Sequence, residues 1–238
     1  MAVRPVDIAK MLNMSTGALR HYEAWGIIPP VPRADNGYRA YTEEHVAYFE
    51  CIRAMSPGFG MATTGEVLRK MVANETDDAL WLVSAAQASL HRQKQVAEKT
   101  VLMLDNDALD HLDTRGRTER MTIGEVSEET SLPASAIRHW EKMGLIEAAR
   151  DPDNGYRMFS RSHVRRILII GTLRSAVWSL DTIKEVIREF DHNNVEQARR
   201  IARESLRFLN DINRRQMRGI RYLDRLIELA EDMPDEGS

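Results

Sequence analysis

Arg20-His21-Tyr22-Glu23, Gly26-Ile27-Ile28 and Asp35-Asn36-Gly37-Tyr38-Arg39-Ala40-Tyr41 return further along the chain as Arg138-His139-Trp140-Glu141, Gly144-Leu145-Ile146 and Asp153-Asn154-Gly155-Tyr156-Arg157-Met158-Phe159. The two sets stand a constant 118 residues apart, as His21 and His139 or Gly37 and Gly155 show. The spacing still holds at His45 and His163. It has become 119 by Glu66 and Glu185, so one residue was gained between. A gapless match of this length marks an internal duplication, and its period is too long for a solenoid repeat. Each half is a whole module.

Around the first stretch, Ile8, Ala9 and Leu12 share one face of a short helix that opens at Pro5. Asn13-Met14-Ser15 makes a turn, and Ser15 caps a second helix running to about Ala24. Leu19 and Tyr22 face inward there, Arg20 and His21 lie on other faces, and Gly26 stops the helix. Helix, short turn, helix is the arrangement that places a second helix in a DNA major groove. Ile27 to Arg33 and Tyr38 to Tyr41 flank Asn36-Gly37, a hairpin signal because both residues accept positive φ. Pro29, Pro30 and Pro32 keep the first strand short and at an edge, which describes a wing. Thr42 then caps a third helix to Met55, broken by Ser56-Pro57-Gly58, and a fourth runs from Met61 to Ala73. Gly65 weakens that fourth helix by roughly 1 kcal/mol against alanine.

Residues 76–112 contain neither proline nor glycine. Leu80, Val83, Leu90, Ala97, Val101, Leu104 and Leu112 recur at threes and fours, the seam of one helix about 55 Å long. Gln87 and Lys94 interrupt it. Residues 113–121 form a polar connector. The second copy opens with a capping box at Thr122-Ile123-Gly124-Glu125, and Pro133 stands where the first copy has Ser15. Ser160 and Ser179 cap its third and fourth helices. A second long helix follows at about 193–233, with Val195, Ala198, Ala202, Leu209, Ile212, Leu223, Leu226 and Ala230 as its seam, interrupted by Gln216 and Gly219. The expected domains are thus 1–75, 76–112, 122–192 and 193–233, with a disordered tail at 234–238. The expected fold class is mainly α: two winged helix-turn-helix units, each followed by a long antiparallel coiled-coil helix.

Composition narrows the function. The net charge of −3 does not announce nucleic-acid binding, so any basic face is local. A lone cysteine, Cys51, excludes a disulfide framework and any thiolate cluster within one chain, and suits a reducing cytosol. There is no signal-peptide core and no membrane-length apolar run, so a cytoplasmic location is expected. Neither a nucleophile with a base, nor a phosphate-binding glycine loop, nor metal-ligand spacing is present, which argues against an enzyme.

Taken together, the helix-turn-helix, the Arg-aromatic-aromatic-Glu run with its following Gly-Ile/Leu-Ile, the Asn-Gly-Tyr-Arg wing and the long helix resemble the MerR family of bacterial transcription regulators. The resemblance covers nearly the whole chain twice. It implies binding to double-stranded promoter DNA, action with RNA polymerase holoenzyme, and no cofactor. It places Arg20 and His21 on DNA, with Tyr38 and Arg39 on the backbone from the wing. In the second copy it places Arg138, His139, Tyr156 and Arg157 likewise. Thr16 and Ser135, at the start of the two recognition helices, complete the set. Family members usually carry one unit and pair through antiparallel long helices, so one chain here is expected to act as an intrachain pseudo-dimer, with a homodimer as the rival arrangement. Metal and thiol sensors of the family use several cysteines near the end of the long helix. Cys51 lies elsewhere, so neither a metal nor a thiol switch is expected.

Plainer readings stand beside these. Arg20 and Arg138 can serve as salt-bridge partners of Glu23 and Glu141, and Tyr38 and Tyr156 can pack the wing onto the second helix. His45 and His163 read as capping residues rather than ligands. Tyr22 and Trp140 read as core. Trp81, Trp178, Phe208 and Tyr222 read as core packing in preference to a drug pocket for a small-molecule effector. The arginine run from Arg199 to Arg215 reads as a solvated face interleaved with acids. Two other functions compete: a small-molecule sequestering protein derived from a regulator, and a DNA-architectural or recombination-accessory protein.

Overall fold

A computed structural model describes residues 3–34, 37–110, 120–152, 154–175, 183–184, 187 and 195–231. Among them, eight helices and one short two-stranded ladder are formed: α1 Pro5–Leu12, α2 Thr16–Ala24, α3 Glu43–Val72, α4 Thr76–Asp110, α5 Ile123–Thr130, α6 Ala134–Lys142, β1 Ala149–Arg150, β2 Arg157–Met158, α7 Arg161–Ser175 and α8 Val195–Glu231. The fold is mainly α, as expected. Leu112, residues 113–119 of the connector, Trp178, Ser179 and the tail lie outside the described residues, as does the side chain of Val195; Met121, expected in the connector, is instead buried and pairs with Phe159.

The helix starts follow their caps. The Ser15 hydroxyl accepts from the Ala18 amide at 3.1 Å, and Thr122 and Glu125 close the anticipated capping box. Thr42 opens α3 with His45 as its reciprocal partner: the Thr42 amide donates to Nδ1 of His45 at 3.1 Å. Ser160 and His163 repeat that bond at 2.9 Å. The two histidines are therefore capping residues. Pro133 stands at the N-cap of α6 without a side-chain bond.

The chain forms two compact units that do not follow chain order. Unit 1 gathers residues 1–89 and 211–238, and unit 2 gathers residues 90–210. Each unit is thus a winged helix-turn-helix completed by a segment of both long helices. In unit 1, Ile8, Leu19, Ile27, Phe49, Ile52 and Leu68 share one core with Ala79 and Val83 near the start of α4 and Leu223 and Leu226 near the end of α8. In unit 2, Val126, Ile137, Trp140, Phe159 and Ile170 share a core with Val96 and Leu104 of α4 and Ala198, Ile201 and Ala202 near the start of α8. Within unit 2 the two long helices touch directly, Arg199 of α8 donating to the Leu104 carbonyl of α4 at 2.7 Å.

Several expectations are corrected. The break in the helix after the wing falls at Gly60 (φ 75°, ψ 160°), not at Ser56-Pro57-Gly58. That backbone region is open to glycine alone, and Pro57 is carried inside the helix. Gly58 has a different task. A Cβ there would lie 2.6 Å from the Gln216 amide nitrogen, and one at Gly219 would lie 3.0 Å from the Cα of Met55. Gln216 is buried and its Nε2 donates to the Gly58 carbonyl at 3.2 Å. Gln216 and Gly219 are therefore not interruptions of a seam. They are the place where α8 and α3 approach backbone to backbone.

The seam of α4 runs through Ala79, Val83, Leu90, Val96, Ala97, Thr100 and Leu104, whereas Leu80 is exposed. Ala230 of α8 is exposed as well. Trp81 is 75% exposed and Phe208 40%, so neither is core; Tyr222 is partly buried against the unit 1 core. Arg199 is no member of a solvated face. Its side chain is 15% exposed, lies 3.0 Å from Asp105 and donates to the Leu104 carbonyl.

Candidate nucleic-acid interface

Leu19 is fully buried in α2, and this fixes the rotation of the helix so that Arg20 and His21 point to solvent. Ile137 and Trp140 do the same for α6 and leave Ser135, Arg138 and His139 exposed. Thr16 is half-buried in the first turn of α2. Tyr22 and Trp140 belong to the cores, as expected.

The wings are tied down at their bases. Val3 bridges Tyr41 and Met121 bridges Phe159, so the chain just ahead of each unit pairs with the end of its wing. Across the wing Arg33 faces Arg39, and Arg150 faces Arg157. The turn differs from a two-residue hairpin. Gly155 takes the positive φ of 72°, while Asn154 acts through its side chain, whose carbonyl oxygen accepts from the Tyr156 amide at 2.9 Å. Tyr38 and Tyr156 are 74% and 69% exposed, so they do not pack the wing onto the helix.

An ion pair joins wing to helix in the same way in both copies. Arg39 donates from Nε to Oε2 of Glu23 at 2.6 Å, and Arg157 donates from Nε to Oε2 of Glu141 at 2.6 Å. This corrects the salt-bridge reading of the helix arginines: the glutamates are taken by the wing, and Arg20 and Arg138 make no ion pair among the described residues. Glu23 raises the pKa of Arg39 through that hydrogen bond. A guanidinium bound through Nε keeps other N–H groups for an outside acceptor, since the fork carries five donors. The carboxylate thereby aims the arginine as well as neutralising part of its charge.

In unit 1 the elements enclose a concavity of about 340 Å³ that brings together Thr16, Arg20, Tyr38 and Arg39 with Arg33. Arg33 is a residue the sequence reading passed over. Its Nη1 donates to the Gly37 carbonyl at 3.1 Å, and Arg150 repeats the bond to Gly155 at 3.2 Å. The 118-residue offset sets Arg33 against Asp151, which hides the match. Sliding the first wing strand by one residue pairs Arg33 with Arg150 and lengthens the second turn by one. His21 stacks on Trp25 with centroids 6.2 Å apart, whereas the second copy has Met143 at the position of Trp25.

Comparisons with known proteins bear on both halves. Residues 4–41 match the model described as MerR family regulatory protein, and residues 121–190 match that of MerR HTH family regulatory protein. The chain belongs to the MerR family of transcription regulators and carries two MerR-like units. It is similar to the HTH-type transcriptional regulator CueR of Yersinia pestis, 29% identical over 126 residues, which cover 50% of this chain and 85% of that protein. It is also similar to the HTH-type transcriptional regulator AdhR of Bacillus subtilis, 43% identical over 49 residues (21% of this chain, 35% of that protein). Nodulation protein NolA of Bradyrhizobium elkanii is 35% identical over 71 residues, 30% of this chain and 32% of that one. No solved structure matches the chain significantly. Among the described residues, no helix is long and apolar enough to cross a membrane.

Proposed function

We propose that this MerR-family regulator acts in the cytoplasm by binding an imperfect inverted-repeat promoter site with both of its halves, one chain supplying what a dimer supplies elsewhere. The observation that carries the reading is the wing-to-helix pair of Arg39 with Glu23, repeated at the same distance by Arg157 with Glu141. A sequestering protein has no use for two intact, identically aimed wings. In the proposed complex Arg20, Arg138, His21 and His139 face the groove from α2 and α6, with Thr16 and Ser135 at the helix starts. Arg39, Arg157, Tyr38 and Tyr156 hold phosphates from the wings. Arg33 and Arg150 brace the wing turns through a glycine carbonyl and add cations beside them.

Two grips on either side of a groove suit a protein that bends and untwists a promoter for RNA polymerase holoenzyme, since distortion is repaid by added backbone contacts. The pseudo-dimer reading is supported by each unit drawing on a segment of both long helices, with covalent linkage replacing association between chains. Selection from random double-stranded DNA tests the reading. Paired, related half-sites are expected, and recovery of single unpaired sites contradicts it. A genome-wide footprint without promoter preference would favour a DNA-architectural protein instead.

A further inference from the structure

A second cavity in unit 1, about 400 Å³, opens between the end of α1, the middle of α3 and the second half of α8. Pro57 and Tyr222 give it an apolar side, and Glu50, Arg53, Arg215 and Arg218 give it charge. Two of these charges are answered locally: Arg215 lies 2.7 Å from Asp211, and Glu50 lies 3.7 Å from Arg225. Arg53 is aimed by a different bond, with Nη1 donating to the Leu12 carbonyl at 2.6 Å. Neither Arg53 nor Arg218 has an ion-pair partner among the described residues. The walls are stiff, because Gly58 and Gly219 bring α3 and α8 into backbone contact beside the cavity.

The duplication supplies an internal control. At the 118-residue offset, Glu50, Arg53, Ala54 and Pro57 correspond to Leu168, Gly171, Thr172 and Ser175. In unit 2 that surface is packed shut. Leu168 and Thr172 are buried, and Gly171 admits Leu132 and Val96 so closely that a Cβ would lie 2.8 Å from Leu132 Cδ1. The Thr100 hydroxyl of α4 lies 2.7 Å from that of Thr172. The fold does not require an opening here. Where unit 2 has a leucine and a glycine, unit 1 has a glutamate and an arginine and a charged cavity.

We propose that the unit 1 cavity binds a small organic anion, a carboxylate or phosphate on an apolar body, with Arg53 and Arg218 on the anionic group and Tyr222 and Pro57 against the body. Guanidinium forks match both oxyanions in two-point geometry, and the volume suits a small ligand. α3 leads from the wing to this cavity, so an occupant bears on the DNA interface. That regulatory consequence rests on the function proposed above; the binding itself does not.

Calorimetric titration of the full chain without DNA tests it, using benzoate, phenyl phosphate and benzyl alcohol as probes. Saturable binding of at least one of the two anions is expected, with none by the neutral alcohol. The preferred anion tells carboxylate from phosphate. Arg218→Gln weakens that binding by ~10-fold or more, as loss of a charge-assisted bond implies, and Arg207→Gln, an exposed arginine of unit 2, leaves it unchanged. Arg218 is exposed, so its variant folds; circular dichroism confirms this. Absence of anion binding, equal binding by benzyl alcohol, or binding that Arg218→Gln does not weaken overturns the proposal. So does the case where neither anion binds but Arg218→Gln weakens binding to a duplex, which would make the arginines a grip on DNA phosphate.

Discussion

In both halves a wing arginine reaches back 2.6 Å to a helix glutamate, but the helices behind the two wings face the long helices in opposite ways. α7 of unit 2 closes on α4 through Gly171, Leu168 and Thr172, without a charged group at those positions. α3 of unit 1 meets α8 at Gly58 and then opens onto Glu50 and Arg53. The surface proposed to meet DNA has the same chemistry in both copies, while the surface that meets the long helices differs. The first must fit a regular partner twice. The second need only fit its own neighbour, and covalent linkage lets the two neighbours diverge.

The largest effect expected from breaking this comparison is at the glycine contacts. Gly58→Ala drives a methyl into the backbone of Gln216 and costs ~1–3 kcal/mol, the range for overpacking. Gly171→Ala meets the ends of Leu132 and Val96 side chains, which can turn away, and costs less. Thermal unfolding of both variants checks the order, and equal losses would show the two contacts to be equivalent. Next in size are the wings. Arg39→Ala and Arg157→Ala each lower DNA affinity across all sequences and each make the salt dependence shallower by about one unit, if each holds one phosphate. An unchanged slope removes that residue from the backbone contacts, and a change in one variant alone makes the halves unequal.

Smaller effects sharpen the account of unit 1. Gly65→Ala is expected to stabilise by about 0.4–1 kcal/mol. Its Cβ would meet nothing nearer than the end of Arg69 at 3.4 Å, and its backbone is ordinary helix. A loss of stability on chemical denaturation would refute this. Cys51 is buried, which pushes its thiol up to about 12. The unfolded chain releases that proton at lower pH than the folded one, so this group's contribution to stability falls as pH rises from its ordinary value of 9.0 towards 12. Cys51→Ser removes that part of the slope and leaves DNA binding intact. Loss of regulation in the folded variant would reveal a thiol switch.

The wings, the caps and helices α2 and α6 were legible because their causes are local. Ser15, Thr122 and the buried Leu19 and Ile137 act within a few residues of where they stand. The long-range contacts were not. Leu80 stands three residues before Val83, a spacing that suits a seam, yet the small Ala79 is the residue that faces the core. Gln216 and Gly219 look like defects until α3 is brought against them, and Gly58 looks like a helix breaker until its missing Cβ is seen to admit α8. Arg33 was hidden by a one-residue slide of the strand, invisible to a fixed offset. The swap of Arg39 for Arg20 as the partner of Glu23 needed the wing folded back onto α2.

The claim that one chain does the work of two is tested most directly by sedimentation equilibrium of the protein, alone and with a selected inverted-repeat duplex. The account predicts a 27.2 kDa species alone and one chain per duplex. Two chains per duplex at low concentration, holding together when the DNA is removed, would contradict it.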